Sequence, residues 1–485
     1  MTDWKWEIFD SFLNENHFSL IKAGPLYSPV NKYIITRNEN LSIFVDTVCN
    51  HDATASSTNH PPGTLRLNTD SIELESMSGI KAIAQGVQSL RISRSEDYKT
   101  GTFNLTERAS IENIECVLTN APSEDQYLIE WLANVDNKYY SWPDSVHDET
   151  EILSNRVFCE DGDSLRMVSS EKMRSFSRQC VNIRVGGYKL FFGPCDGVAI
   201  GASKMPGFVI YGGVPSKEIR LKIRSAISFA FGRPLVHLGH SIFNGKWQLV
   251  SFESISPYTM DGKAFELPTL APAPLFESER FINELNKEKF SHIVNAFYNK
   301  YDDYKLGVVS WLYWHAISAP DHIAAVHFGA TFEFIQRVFL KANEHLFETS
   351  LLDNSVWGSL QKDIMQLIAS RGVDTTIIGN KIQSLNQKPQ SVLTEEFMDK
   401  LGIKLSSLEL NAWKQRHVAA HGPALREPDY VRLIKEVKLL KVLCNRVLLS
   451  ITEGSDSYVD YYSIGFPIRK LQVPIGADDP LKRST

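Results

Sequence analysis

This sequence is short of the residues and patterns that mark several protein classes. Its six cysteines (Cys49, Cys116, Cys159, Cys180, Cys195 and Cys444) form no C-x-x-C pair, which argues against a zinc module and against a disulfide-dense secreted fold. Charge of one sign is lacking too. With 51 Lys and Arg against 57 Asp and Glu the net charge is -6, so neither a basic coat for nucleic acid nor an acidic solvating tail runs through the chain. The most apolar stretch, residues 306–319, contains Ser310 and His315 and falls short of the roughly 20 residues a membrane span needs. The start, Met1 to Phe9, carries Asp3 and Glu7 and has no basic segment leading into an apolar run, so the expectation is a cytoplasmic protein without a membrane crossing. Gly193, Gly197, Gly212 and Gly213 lack the spacing of a phosphate-cradling loop, and no G-x-S-x-G elbow or internal repeat is present.

What is present is material for packed interiors. The 485 residues are 43% apolar and include 26 Phe, 17 Tyr and 9 Trp, too many for one core of ordinary size and enough for two or three domains. The clearest composition break is Leu267-Pro-Thr-Leu-Ala-Pro-Ala-Pro-Leu275, where three prolines rule out a continuous helix or central strand. Upstream, Leu41–Val48, Ser71–Glu75 and Trp247–Phe252 are rich in β-branched and aromatic residues and predict strands. Val181–Val185 and Tyr188–Phe192 flank Gly186-Gly187, two residues free to take the positive φ of a tight turn, and predict a hairpin. One helix is expected among the strands, entered at Pro215-Ser216, running through Ile219, Ile223, Ala226, Ile227 and Phe229, and stopped at Gly232 before Pro234.

Downstream the period of apolar residues changes to three and four, in Phe281–Phe297, Ile323–Phe347, Trp357–Ile368 and Tyr430–Ile451. The fold class expected is α+β. It divides into a β-rich N-terminal domain over residues 1–266, a Pro-rich linker over 267–275, an all-α helical bundle over 276–455 and a tail over 456–485.

The segment Ser406–Pro423 carries the strongest chemical signal. Ser406 and Glu409 form a capping box and Gly422-Pro423 a stop, so a short helix lies between them. Arg416 and His421 are roughly 140° apart around it, and a long Arg side chain in the last turns can lean towards the same cleft as the His. His417 precedes His421 by one turn and shares its face. The partial negative charge of a helix C-terminus favours protonated imidazole, which suits a proton donor. Arg with His is a sensible minimum for cleaving RNA without a metal: the 2'-hydroxyl attacks its own phosphate, a guanidinium holds the developing charge, and imidazole moves a proton. Residues 401–450 hold nine Lys and Arg against four Asp and Glu, a phosphate-facing patch in which Lys414, Lys435, Lys438 and Lys441 are the candidate contacts.

Blander readings of the same residues stand beside this one. Arg416 and His421 could simply complement the helix dipole, and His417-Val-Ala-Ala-His421 is a spacing open to zinc, although it lacks the interior Glu of a zincin and shows no third ligand. His315, His322 and His327 read as packed or capping residues. Glu333 with Arg337 is simplest as an i, i+4 pair, or Glu333 orients Arg416 as a carboxylate support.

The pattern Arg416-His-Val-Ala-Ala-His421-Gly422 in an all-helical C-terminal domain resembles the R-x(4-6)-H motif of HEPN-domain ribonucleases. With a β-rich N-terminal part and the Ser225–Gly232 helix ending, the chain resembles the Apea-like HEPN proteins of bacterial antiphage defence. The resemblance implies a homodimer whose motif helices meet in the active cleft, with Arg416 and His421 as catalytic residues and His417 in the intervening polar position, where Asn or Asp is more frequent. It implies no cofactor and no metal, an RNA substrate cut to 2',3'-cyclic phosphate and 5'-hydroxyl ends, and abortive infection set off by a phage-derived trigger sensed through the N-terminal domain. A non-catalytic RNA- or protein-binding dimerisation protein is the alternative.

Overall fold

A computed structural model describes residues 17–54, 70–97, 102–118, 126–135, 141–150, 155–158, 164–167, 173–195, 205–246, 248–276, 284–348, 350–372, 375–420 and 427–476, with Leu13. The fold is mixed, strands first and helices after. The chain forms two compact units, one of residues 1–270 and 275–291, the other of 271–274 and 292–485.

The first unit contains the strands β1 (Ser19–Lys22), β2 (Ser28–Arg37), β3 (Ile43–Thr54), β4 (Ser71–Glu75), β5 (Lys81–Gln85), β6 (Gln88–Asp97), β7 (Thr102–Ile111) and β8 (Asn113–Val117). After these come β9 (Tyr127–Leu132), β10 (Asp144–Thr150), β11 (Asn155–Phe158), β12 (Ser164–Met167), β13 (Met173–Val185), β14 (Tyr188–Pro194), β15 (Gly207–Gly212), β16 (His237–Phe243) and β17 (Leu249–Ile255). Two antiparallel sheets dominate: an eleven-stranded one ordered β1-β4-β5-β8-β17-β16-β9-β15-β14-β13-β10 and a four-stranded one ordered β2-β3-β7-β6. Alternation along each strand decides which face is dry. Ile72 and Leu74, Ala82 and Ala84, Ile114 and Cys116 point inward from the large sheet and meet Ile43, Val45, Ala109 and Ile111 of the small one in one core. Arg37 spans the layers, its guanidinium donating to the carbonyls of Leu41, Ile255 (2.8 Å) and Leu238 (3.2 Å).

Local signals hold where turn chemistry is strong. Gly186 and Gly187 take φ of 56° and 87° between β13 and β14. Helix α1 (Lys217–Phe231) begins at Ser216, whose side chain accepts from the Ile219 N–H, and ends at Gly232 with φ 79°. Its Ile223, Ile227 and Phe231 are buried. The expected strand at 247–252 is found as Leu249–Ile255, with Trp247 outside the described residues.

After a single turn, α2 (Lys263–Glu266), the helices are α3 (Lys287–Asn299), α4 (Leu306–Ser318), α5 (Asp321–Ala342), α6 (Asn354–Ser370), α7 (Thr375–Ser384), α8 (Gln390–Lys400), α9 (Ser407–Ala420) and α10 (Glu427–Thr452). Helix α5 is long and apolar enough to cross a membrane by composition, yet half of that window is buried in the protein. Its Phe328, Phe332, Ile335 and Phe339 pack in the bundle, with Phe332 4.8 Å from the Trp413 ring and Phe339 5.3 Å from that of Phe397. Core packing accounts for its hydropathy.

Two segments differ from their sequence expectation. The Pro-rich stretch is no open linker, because Ala271 and Ala273 are buried, the Tyr461 hydroxyl donates to the Ala271 carbonyl and the Val459 N–H to that of Pro272. Proline removes donors but leaves carbonyls free to accept, so the stretch is held from one side. The segment set apart as a tail over 456–485 belongs, in its described residues, to the second unit. Strands β18 (Ser457–Val459) and β19 (Ile468–Lys470) pair, and Tyr458 is fully buried.

Candidate active site

The helix expected to carry the motif is α9, and its N-terminus forms for the reason the capping box implies. The Ser406 N–H donates to Glu409 Oε2 at 2.9 Å and the Glu409 N–H to Ser406 Oγ at 3.2 Å, so two orphan amides of the first turn are satisfied reciprocally. Ala412 and Trp413 are buried while Lys414 faces solvent, and the helix packs against α5 and α10. Arg416 and His417 fall in the last two turns of α9 by backbone position, and their side chains lie outside what the structure describes. His421 lies outside the described residues altogether.

Glu409 does more than cap. Its Oε1 lies 2.5 Å from Arg446 Nη1, and both side chains are shielded from water. Arg446 Nε and Nη2 donate to the Leu471 carbonyl at 3.2 and 2.7 Å, Nη2 also to that of Lys404 at 3.0 Å, and the Tyr458 ring stands 5.1 Å below the guanidinium. The Ile475 N–H completes the shell on Glu409 Oε1 at 3.3 Å. A buried charge is tolerable only when paired and fully hydrogen-bonded, and this one is. The node ties the start of the motif helix to α10 and to the C-terminal segment. Sequence counting placed Arg446 in the basic surface patch, and burial takes it out. The signal was there: Arg446 sits within Leu439-Leu-Lys-Val-Leu-Cys-Asn-Arg-Val-Leu-Leu449, where an Arg among apolar residues needs a counter-ion.

The other expected contacts separate by environment. Lys435 and Lys438 are more open to solvent on α10 than Lys441, which is half-buried and whose ammonium desolvation brings down to about 8. Glu333 is exposed on α5, where the Arg337 guanidinium lies 5.4 Å from the Phe334 ring. His315 Nδ1 is 2.7 Å from the Trp311 carbonyl and its ring lies 4.0 Å from that indole, a packed histidine. No group of three His, Cys, Asp or Glu among the described residues is placed to hold a metal ion.

A second cluster of titratable groups, which sequence reading missed, lies in the first unit where α1 covers the large sheet. Glu130 of β9 is fully buried and accepts hydrogen bonds from Arg224 Nη1 at 2.7 Å and the Tyr211 hydroxyl at 2.9 Å, with Arg220 Nε at 3.3 Å and His237 Nε2 at 3.5 Å nearby. Burial, with Arg224 beside it, holds the His237 imidazole well below its ordinary value. One row over, His240 Nδ1 meets Glu253 Oε2 at 3.2 Å, and hydrogen bonds from His240 and Asn113 bring the Glu253 carboxyl down to about 2. Arg220 and Arg224 are i, i+4 on α1 and so project together onto Glu130. Two arginines spent on one buried carboxylate are internal counter-ions, and the cluster binds helix to sheet.

No family model, no curated protein and no solved structure matches this chain.

Proposed function

We propose that this chain is a metal-independent endoribonuclease of HEPN type, acting in antiphage defence through growth arrest. The observation that carries the reading is α9 itself: a helix clamped at its start by the Ser406–Glu409 box and the Glu409–Arg446 pair, with Arg416 and His417 in its last two turns and His421 following its last residue in the sequence. A nuclease without a metal depends on positioning, and side chains on a fixed helix are better positioned than side chains on a loop. Arg416 stabilises the charge that builds on the phosphorane oxygens. His421 moves the proton between the 2'-hydroxyl and the 5'-oxygen, and His417 positions phosphate or the second imidazole. The 2'-oxygen forms a bond to phosphorus as the 5'-oxygen leaves with a proton, giving 2',3'-cyclic phosphate and 5'-hydroxyl ends. Two protomers bring their motif helices together, and the N-terminal unit senses the trigger.

The test is total cellular RNA incubated with wild type, Arg416→Ala and His421→Ala in excess EDTA, with product ends assayed for cyclic phosphate. Cleavage by wild type alone is the expected result, and equal cleavage by all three removes the assignment. The solvent-facing Lys435 and Lys438 favour one other reading, a non-catalytic RNA-binding protein, which would bind RNA in a salt-dependent way and release no cyclic-phosphate ends.

A further inference from the structure

The outer face of the four-stranded sheet, turned away from the core shared with the large sheet, carries an unusual set of side chains for a chain of net charge -6. Pairing register places Ile34, Asp46, Arg108 and Arg91 in one row across β2, β3, β7 and β6, and Lys32, Val48, Thr106 and Ser93 in the next. These two rows line an open groove of about 580 Å³. Three cations face one carboxylate there, because the other acid at the groove, Glu107, is buried and accepts the Tyr27 N–H at 2.8 Å. Arg108 lies 4.6 Å over the Phe44 ring and 3.8 Å from Asp46, with its side chain still 46% exposed. A guanidinium over an aromatic ring on one side has a π-face left to offer a base that enters the groove.

We infer that this groove binds single-stranded RNA, with Lys32 and Arg91 on two non-adjacent phosphates of one strand and a base stacked on the Arg108 guanidinium. Lys32 and Arg91 stand on opposite edge strands and in adjacent rows, roughly 16 Å apart at ~4.8 Å per strand step and ~3.4 Å per residue, so the cations suit an extended polyanion better than one small ligand. A positive groove with a stacking platform is the general solution for holding a single strand without reading its sequence. The Ser93 hydroxyl adds a donor at the groove, while the Thr106 hydroxyl donates to the Ser93 carbonyl at 3.3 Å. A second copy of the face would be repelled by its like charge, and an acidic peptide offers nothing to stack on Arg108. The inference deepens the nuclease reading by giving RNA a place on the N-terminal unit, yet binding there does not depend on cleavage.

The experiment uses the full chain with Arg416→Ala, so that RNA stays intact, and follows the anisotropy of a labelled 20-nucleotide unstructured RNA between 50 and 200 mM salt. Lys32→Gln with Arg91→Gln is expected to weaken binding at least tenfold and to flatten the log–log salt slope by about 1.4, at roughly 0.7 for each phosphate no longer neutralised on a single strand. Arg108→Lys keeps the charge and loses the planar face, so affinity falls several-fold with the slope unchanged. Circular dichroism checks that each variant is folded. Unchanged affinity and slope in the folded Lys32→Gln/Arg91→Gln variant overturn the inference, as does equal competition by a poly-glutamate of the same length or preference for an RNA duplex. If the groove variants lose RNA while Arg416→Ala cleaves like wild type, the groove stands and the nuclease reading falls.

Discussion

Arg446 on α10 and Glu409 on α9 meet at 2.5 Å with 0% and 1% of their surfaces exposed, so the capping residue of the motif helix is also the counter-ion of the core's one fully buried arginine among the described residues. Removing one partner strands the other charge in a dry site. Arg446→Ala should cost about 3–5 kcal/mol, while Arg446→Met combined with Glu409→Leu should recover much of that loss by replacing charge with packing. Urea unfolding read by tryptophan fluorescence gives both numbers, and an Arg446→Ala loss under about 1 kcal/mol would show that the pair contributes little.

Stability of the first unit should fall with acid in two windows. His237 is held neutral in the fold and titrates near 6.5 when unfolded, so below that pH the unfolded chain takes up a proton that the native chain refuses, and stability declines. Glu253 works through the opposite charge: at about 2 in the fold against 4.5 ordinarily, it stabilises above 4.5 and loses that contribution as pH falls towards 2. Thermal melts across pH should show both declines, with His237→Gln flattening the upper one and Glu253→Gln the lower. Melts that do not change as the pH is lowered through both windows would refute the assignment.

Backbone positions allow sharper mutants. Gly239 has φ 140° and a Cβ there would sit 2.0 Å from the Glu253 carbonyl oxygen, so Gly239→Ala should destabilise by more than about 2 kcal/mol or prevent folding. Ser216→Ala removes only the cap on the Ile219 amide, at about 1 kcal/mol. Equal effects from the two would contradict this ranking, and denaturant midpoints measure it.

On α10, Lys435→Gln and Lys438→Gln should each weaken RNA binding and lower the salt slope by about 0.7 on single strands. Lys441→Gln should lower it less, because its half-buried ammonium is less open to phosphate than the exposed Lys435 and Lys438 and, brought down to about 8 by desolvation, loses its charge as the pH rises through that value. Titrations at several salt concentrations compare the three, and an equal effect from Lys441 would place it at the surface.

Much of this was legible because it is local. The hairpin at Gly186-Gly187, helix α1 with Ser216 and Gly232 at its ends, strand β4 and the Ser406–Glu409 box each depend on a few neighbouring residues, and each forms as its turn or cap chemistry requires. Helices α7 and α8 escaped notice because they are short, at 10 and 11 residues, and most of their described residues stay exposed or half-buried. The site divides in the same way. Arg416 and His417 were placed on a helix by its capping box and Gly-Pro stop, whereas the burial of Arg446 was invisible to a count of charges.

The sequence by itself determined the order of strands before helices, the caps and turns, and the R-x4-H pattern, since these follow from backbone preferences within one or two turns of chain. Tertiary structure alone decided which charges lie inside. Glu409 and Arg446 are 37 positions apart and Glu130 and Arg224 94, and only folding removes the water that would otherwise screen them. The same holds for the groove on the four-stranded sheet. Lys32, Arg91 and Arg108 are unrelated in sequence, and pairing register brings them onto one face.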